Sequence, residues 1–193
     1  GKISAVQFAS GARTFHAFRF ENPEGQVSYY DKEGEAVRKA FLKAPFHFDP
    51  RVTSRFSHSR YHPILKTRRP HLGVDYGAPT GTPVLASASG TVSFRGRDGG
   101  FGLLVKIRHP NGYVTSYAHL SRIEVKKGQK VGQGDQIGRV GATGLATGPH
   151  LDYRVQDTSG RFINPQNVLA LPSDKPVQKE YGGLFASVRD QYL

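Results

Sequence analysis

Hydrophobic residues fall in short runs along this chain, and glycine or proline breaks almost every run. Ile3–Phe8, Thr14–Phe20 and Val27–Tyr30 read as strands, separated by the turn signals Ser10-Gly11-Ala12 and Asn22-Pro23-Glu24-Gly25. Glu35–Leu42 then has Val37, Phe41 and Leu42 on one side of a short helix, which Ala44-Pro45 ends. Residues 1–45 are therefore expected to form a small α+β appendage.

The texture changes at about residue 46. Apolar runs now recur every ~8–12 residues, the spacing of an all-β domain. The expected strands are Gly73–Tyr76, Pro83–Ala86, Gly90–Arg95, Leu103–Arg108, Tyr113–Leu120, Lys130–Val131, Gln136–Val140 and His150–Gln156. His109-Pro110-Asn111-Gly112 separates two of them, and its Asn-Gly step is a hairpin signal. This domain is taken as residues 46–171. A tail, 172–193, follows. In it Leu184, Phe185, Val188 and Tyr192 suit one face of a helix, although Gly182-Gly183 weakens its start. Such a helix either packs back on the protein or binds a partner.

Composition adds three constraints. The chain has 193 residues with 23 Gly and 12 Pro, which fits a mainly β fold rich in turns. Cysteine is absent, which excludes disulfides, iron–sulfur clusters and thiolate chemistry. No apolar run approaches the ~18 residues needed to span a bilayer. A chain opening on Gly1 is expected to be a fragment, so a signal, membrane anchor or envelope partner would belong to a longer protein. The net charge is +12, of which residues 1–70 carry +7. The densest basic patch is Lys66, Arg68 and Arg69, with Arg51, Arg55 and Arg60 upstream. An anionic partner is expected, either nucleic acid or a cell-wall polymer beside anionic lipids.

Three stretches carry candidate chemistry: His71-Leu72-Gly73-Val74-Asp75, Tyr117-Ala118-His119-Leu120 and Gly148-Pro149-His150-Leu151-Asp152. Imidazole nitrogens and carboxylate oxygens of this kind suit zinc. His150 and Asp152 alternate on one strand and so share a face. If the strands are neighbours, three histidines and two aspartates converge. Taken singly, each motif is more often a half-buried polar residue than a ligand. His16, His47 and His109 have no partner motif and read as surface or half-buried. His58 and His62 are four apart, but Pro63 and the nearby arginines favour a loop. Gly96–Gly102 lacks the Lys-Ser/Thr of a phosphate loop and reads as a hairpin loop bordering the cleft.

Over residues 46–170 the chain resembles the LytM or lysostaphin-type (M23 family) zinc metallopeptidases. The resemblance rests on Arg68–Tyr76, Ala78–Val84, Tyr117–Leu120, Lys127–Val131, Gly134–Gly138 and Gly144–Leu151. Phe56–Leu65 is similar to the segment before the domain in Gram-negative members that cut peptidoglycan cross-links. The resemblance implies a two-layer antiparallel β domain and a zinc-dependent endopeptidase in the periplasm or cell envelope. It implies His71 and Asp75 as zinc ligands, His119 and His150 as catalytic residues, and peptidoglycan as substrate. Position 152 departs from the pattern, with Asp where the family has a third ligand, His. Either Asp152 is that ligand, or the site is degenerate and the domain binds peptidoglycan or activates a partner hydrolase. A lipoyl-type carrier module would need a modifiable Lys on a hairpin tip, which Lys126, Lys127 and Lys130 do not supply. No recognised motif supports nucleic-acid binding.

Overall fold

The computed structural model describes all residues except 12, 26, 38–40, 62–66 and 171–175, and for 13 and 168–170 the backbone only. His62 and Lys66 thus lie outside the described residues. The chain divides into two compact units, Gly1–Ala40 with Ala170–Leu193, and Phe41–Leu169.

The first unit is a three-stranded antiparallel sheet of β1 (Ala5–Ser10), β2 (Arg13–Glu21) and β3 (Val27–Tyr30), with the helix α1 (Gly182–Arg189). Alternation along β2 points Phe18 and Phe20 to one face, where they are buried against Phe185 of α1, with Tyr30, Val177 and Val188 around them. The tail helix therefore packs back, and on the appendage sheet. Its face differs in part from the expected one: Leu184 and Tyr192 are exposed. The described residues of the expected helix Glu35–Leu42 are not helical. Ala36 instead bridges Tyr30, and the Val37 N–H donates to the Tyr29 carbonyl (3.0 Å). Residues 38–40 lie outside the described residues.

The second unit holds β4 (Arg51–Ser54), β5 (Ser57–Tyr61), β6 (Arg68–His71), β7 (Val74–Gly77), β8 (Pro83–Leu85) and β9 (Gly90–Arg97). It continues with β10 (Leu103–Arg108), β11 (Val114–Ile123), β12 (Lys130–Val131), β13 (Gln136–Val140), β14 (His150–Gln156) and β15 (Phe162–Ile163). The main sheet runs β12-β9-β10-β11-β14-β7-β4, and β13 joins β11 to β8. Every described pairing is antiparallel. The mainly β, antiparallel fold is as expected. The short polar strands β4, β5 and β6 were not.

The central strands are buried on both faces, which requires uncharged filling except where chemistry intervenes. Val74, Val105, Ile107, Tyr117, Leu151 and Val155 supply that filling. The β10–β11 hairpin turns at the expected place: Gly112 has a φ of 85°, and its N–H donates to the His109 carbonyl (3.0 Å). His109 itself corrects the sequence reading. It is buried, 3% exposed, packed edge-on against Phe41, and hydrogen bonded to Ser89 O and Thr115 Oγ1 (both 2.8 Å). Thr115, Tyr117, Ser87 and Tyr153 continue this buried polar chain through contacts of 2.8–2.9 Å.

β11 is the strand that makes the site. Its first half pairs with β14 as far as Ala118↔Asp152, and its second half pairs with β13 from Leu120↔Val140. His119 lies at the changeover and is the one described non-glycine residue with positive φ, 62°. The register with β10 slips across the same stretch. A bulge of this kind turns a strand and re-aims a side chain, and the residue so aimed is a histidine.

Candidate metal centre

Strand alternation on β14 sends His150, Asp152 and Arg154 to one side. On the neighbouring β7, Asp75 is the direct partner of Asp152, and Gly77 is the partner of His150. Ala118 flanks Asp152 from β11, and Ser54 of β4 is the register partner of Asp75. His71 ends β6, and Leu72-Gly73 carries the chain straight into β7. One nitrogen or oxygen from each of His71, Asp75 and Asp152 lies within 4.8 Å of the others, all three residues buried. The five residues singled out in the sequence line one cleft of about 730 Å³, together with Arg60, Arg69, Phe101 and Leu145.

Backbone carbonyls set the form of each histidine. His71 Nδ1 is 3.0 Å from Arg55 O, His119 Nδ1 is 2.7 Å from Thr143 O, and His150 Nδ1 is 2.8 Å from Gly148 O. A carbonyl only accepts, so each Nδ1 carries a proton and each neutral ring keeps its lone pair on Nε2. His71 Nε2 then lies 2.9 Å from Asp75 Oδ1 and 3.9 Å from Asp152 Oδ1. Neither His71 Nε2 nor Asp75 Oδ1 has a hydrogen-bond partner of acceptable geometry among the described residues. Two buried lone-pair atoms this close repel unless a cation or an added imidazole proton stands between them. Donors about 2.0–2.2 Å from a tetrahedral zinc lie roughly 3.3 Å apart, between the two observed distances. The donor set therefore fits a zinc-sized cation, and His71, Asp75 and Asp152 are the residues that could hold it.

The surroundings bias the charges. Burial works to raise the Asp75 pKa, but the proximity of His71 and the charges of His150 and Arg60 outweigh it and hold the carboxyl below its ordinary value. Arg60 donates to Ser54 Oγ (2.7 Å) and lies 3.6 Å from Asp75 Oδ2. Burial lowers the His119 pKa, and neighbouring His150 adds to this. The bond to Thr143 and the carboxylates of Asp152 and Asp75 only partly oppose it. His119 is thus neutral at pH 7. Its ring centroid is 4.7 Å from that of His150, so the two free Nε2 atoms form a basic pair beside the acidic group.

Two groups here escaped sequence reading. Arg154 binds Asp152, and Ser54 supports both His71 and Arg60. The signal for Arg154 was available, since 150, 152 and 154 alternate on one strand. Gly96–Gly102 does border the cleft, through Gly100 and Phe101 of a short 3-10 turn. His58 packs edge-on against Phe56 and is not among the residues lining the cleft.

An antiparallel β scaffold thus gathers a buried His-Asp-Asp group that could hold a metal ion and two histidines in one cleft. Residues 69–165 match Peptidase family M23, and the chain belongs to that family. It is 42% identical over 168 residues to the peptidoglycan DD-endopeptidase ShyC of Vibrio cholerae, covering 87% of this chain and 38% of that protein. Its fold is similar to that of a zinc-containing peptidase from Vibrio cholerae, with a TM-score of 0.62, 34% identity, and coverage of 86% of this chain and 50% of the other. The catalytic domain of lysostaphin from Staphylococcus simulans gives a TM-score of 0.56 at 28% identity, covering 62% of this chain and 92% of that domain. The chain spans only 38–43% of the length of the first curated relatives it matches.

Proposed function

We propose that the protein is a zinc-dependent endopeptidase that hydrolyses peptide cross-links of bacterial peptidoglycan, with residues 46–171 as the peptidase domain. One observation carries the metal: the buried pair His71 Nε2 and Asp75 Oδ1, 2.9 Å apart and otherwise unpartnered. His71, Asp75 and Asp152 would hold zinc, which when bound supplies Lewis acidity toward a peptide carbonyl and an acidified water.

The chain's own residues do the rest. The open cleft admits an extended peptide across the sheet. His119, neutral and with Nε2 free, accepts a proton during attack and, as the imidazolium, returns it to the leaving amine; His150 beside it donates to the developing oxyanion when its own Nε2 is protonated. The bonds to Thr143 O and Gly148 O keep Nδ1 of both rings protonated and turn Nε2 to the cleft. Arg60, itself bonded to Ser54, pairs with Asp75. The family relationship and the DD-endopeptidase relative support a cross-link substrate, which would lie in the cell envelope. No described helix is long and apolar enough to cross a membrane.

A second reading has one observation in its favour. Both carboxylate oxygens of Asp152 already accept from Arg154 (2.7–3.0 Å), as they would in a metal-free domain that binds peptidoglycan or activates a partner hydrolase. Digestion of purified sacculi with mass analysis of the products decides between them. Cleaved cross-links from wild type and none from His71→Ala or His119→Ala support the enzyme. Sacculus binding without products, at normal metal supply, supports the second reading.

A further inference from the structure

Asp152 is the unusual donor of this site, and its neighbour accounts for it. The Arg154 side chain turns back along β14 to its strand neighbour two residues away. Nε lies 3.0 Å from both Asp152 oxygens, and Nη2 is 2.7 Å from Oδ2. The stronger grip is on Oδ2, and Oδ1 is the oxygen that faces His71 Nε2. The guanidinium is itself fixed. It lies 4.5 Å from the ring of Phe101 and 5.8 Å from that of Phe162, with its side chain only 16% exposed. The space is tight as well: a Cβ on Gly73 would stand 2.5 Å from Asp152 Oδ1 and 2.7 Å from Arg154 Cγ. An arginine clamped by two aromatic rings and aimed at one buried carboxylate is a built device.

Its charge has a further consequence. A site of two imidazoles and one carboxylate around a divalent cation carries +1. Asp in place of one imidazole lowers that to zero. Arg154, in contact with the added carboxylate, returns it to +1.

We propose that Arg154 is a positioning residue that makes Asp152 competent as the third metal donor, by gripping Oδ2 with two bonds and Oδ1 with one, so that Oδ1 keeps a lone pair for the metal, and by cancelling the added negative charge. The inference rests on the metal-centre reading above. It predicts a coupling in sign. With Asp152 present, losing Arg154 frees the carboxylate and weakens metal binding. With imidazole at that position, Arg154 is an unneutralised, largely buried cation beside a dication, and losing it strengthens binding.

The test is a double-mutant cycle read by metal affinity. Co²⁺ is titrated by its visible absorption and Zn²⁺ by competition with a chromophoric chelator. The proteins are wild type, Arg154→Gln, Arg154→Lys, Asp152→His, the double variant Asp152→His/Arg154→Gln, and His71→Ala, each checked for folding by circular dichroism. Arg154→Gln is expected to weaken binding 10–100-fold in the wild-type background and to tighten it at least tenfold in the Asp152→His background. Arg154→Lys, which keeps the charge and loses the fork, is expected to lie between wild type and Arg154→Gln. A change of less than threefold, or the same direction in both backgrounds, overturns the proposal with the metal centre intact. Should a glutamine variant fail to fold, Arg154→Lys decides with Asp152 present, where loss of the fork must still weaken binding: affinity within threefold of wild type, or tighter, overturns the proposal. Wild type that binds no stoichiometric metal, or binds it as His71→Ala does, overturns the metal-centre reading and this proposal with it.

Discussion

Asp75 and Asp152 face each other directly across β7 and β14, so two buried carboxylates share one rung of the sheet. Like charges placed directly opposite destabilise a sheet, and burial deepens the cost. Arg60 and Arg154 offset it from either side, and His71 Nε2, 2.9 Å from Asp75 Oδ1, gives a cation a second donor beside the carboxylates. Zinc binding should therefore stabilise the fold measurably. At a zinc concentration 100 times Kd, the gain is about 2.7 kcal/mol. For a chain of this size that raises Tm by roughly 5–10 °C. Calorimetry of chelated and zinc-loaded protein checks this. His71→Ala should abolish the rise, and an equal rise in that variant would place the ion elsewhere.

Gly73 is the pivot between His71 and Asp75, the two proposed donors of the first motif. An added Cβ would approach Asp152 Oδ1 to 2.5 Å, Arg154 Cγ to 2.7 Å and Tyr153 O to 2.9 Å. The backbone oxygen cannot yield easily, so the carboxylate and guanidinium must. Gly73→Ala should cost about 1–3 kcal/mol by overpacking and should weaken zinc binding as well. Melting curves and metal titration of the same preparation check both. Full affinity with a normal melting temperature would show that Asp152 has room to spare.

His119 holds a φ of 62° where β11 changes partners. A side chain in that conformation costs about 1–2 kcal/mol. Glycine avoids the cost but gives back about 0.5–1 kcal/mol in chain entropy. His119→Ala and His119→Gly should both lose 10²–10⁴-fold in cleavage of a cross-linked peptide. Yet His119→Gly should melt roughly 1–4 °C above His119→Ala. The reverse order would show that the strand kink imposes no strain.

The histidines and aspartates of the site were legible because their spacing survives without knowledge of the fold. Alternation alone put His150 and Asp152 on one face. The strands that deliver His71 were not legible. Arg51–Ser54, Ser57–Tyr61 and Arg68–His71 are short and polar, and β5 and β6 pair mainly with each other. Their pattern shows no apolar face, because the surface they present is the cleft. His109 was misjudged for the opposite reason. What buries it, Phe41 and Thr115, comes from separate segments, and no local pattern records such a meeting. The appendage helix failed where sequence supplied an apolar stripe but the backbone spent its hydrogen bonds on bridging β3 at Ala36. The helix came from the far end of the chain, at Gly182–Arg189.

His109 also sets a pH dependence that can be separated from the metal site. Burial lowers its pKa, and the bond to Ser89 O only partly opposes this. In the unfolded chain the ring titrates near ~6.5. Above that pH the ring is neutral in both states, and its contribution to stability does not change with pH. Below it the unfolded chain takes up a proton that the folded protein refuses. Stability then falls as pH drops from about 6.5 toward the lower folded value, at up to about 1.4 kcal/mol per pH unit. The loss is that of burying a charged ring: Thr115 Oγ1, 2.8 Å from Nε2, can accept the added proton but brings no opposite charge to balance it. Urea unfolding of chelated protein at pH 7.5, 6.5, 5.5 and 4.5 should show a plateau and then a decline. His109→Gln, which keeps a hydrogen-bonding side chain without a titrating ring, should be less stable at pH 7.5 and flatter below pH 6.5. His119, depressed in the same direction, leaves a residual slope in that variant, so His109→Gln with His119→Ala should be flatter still. An unchanged slope in His109→Gln would remove His109 as the cause and leave the acid sensitivity to the cleft.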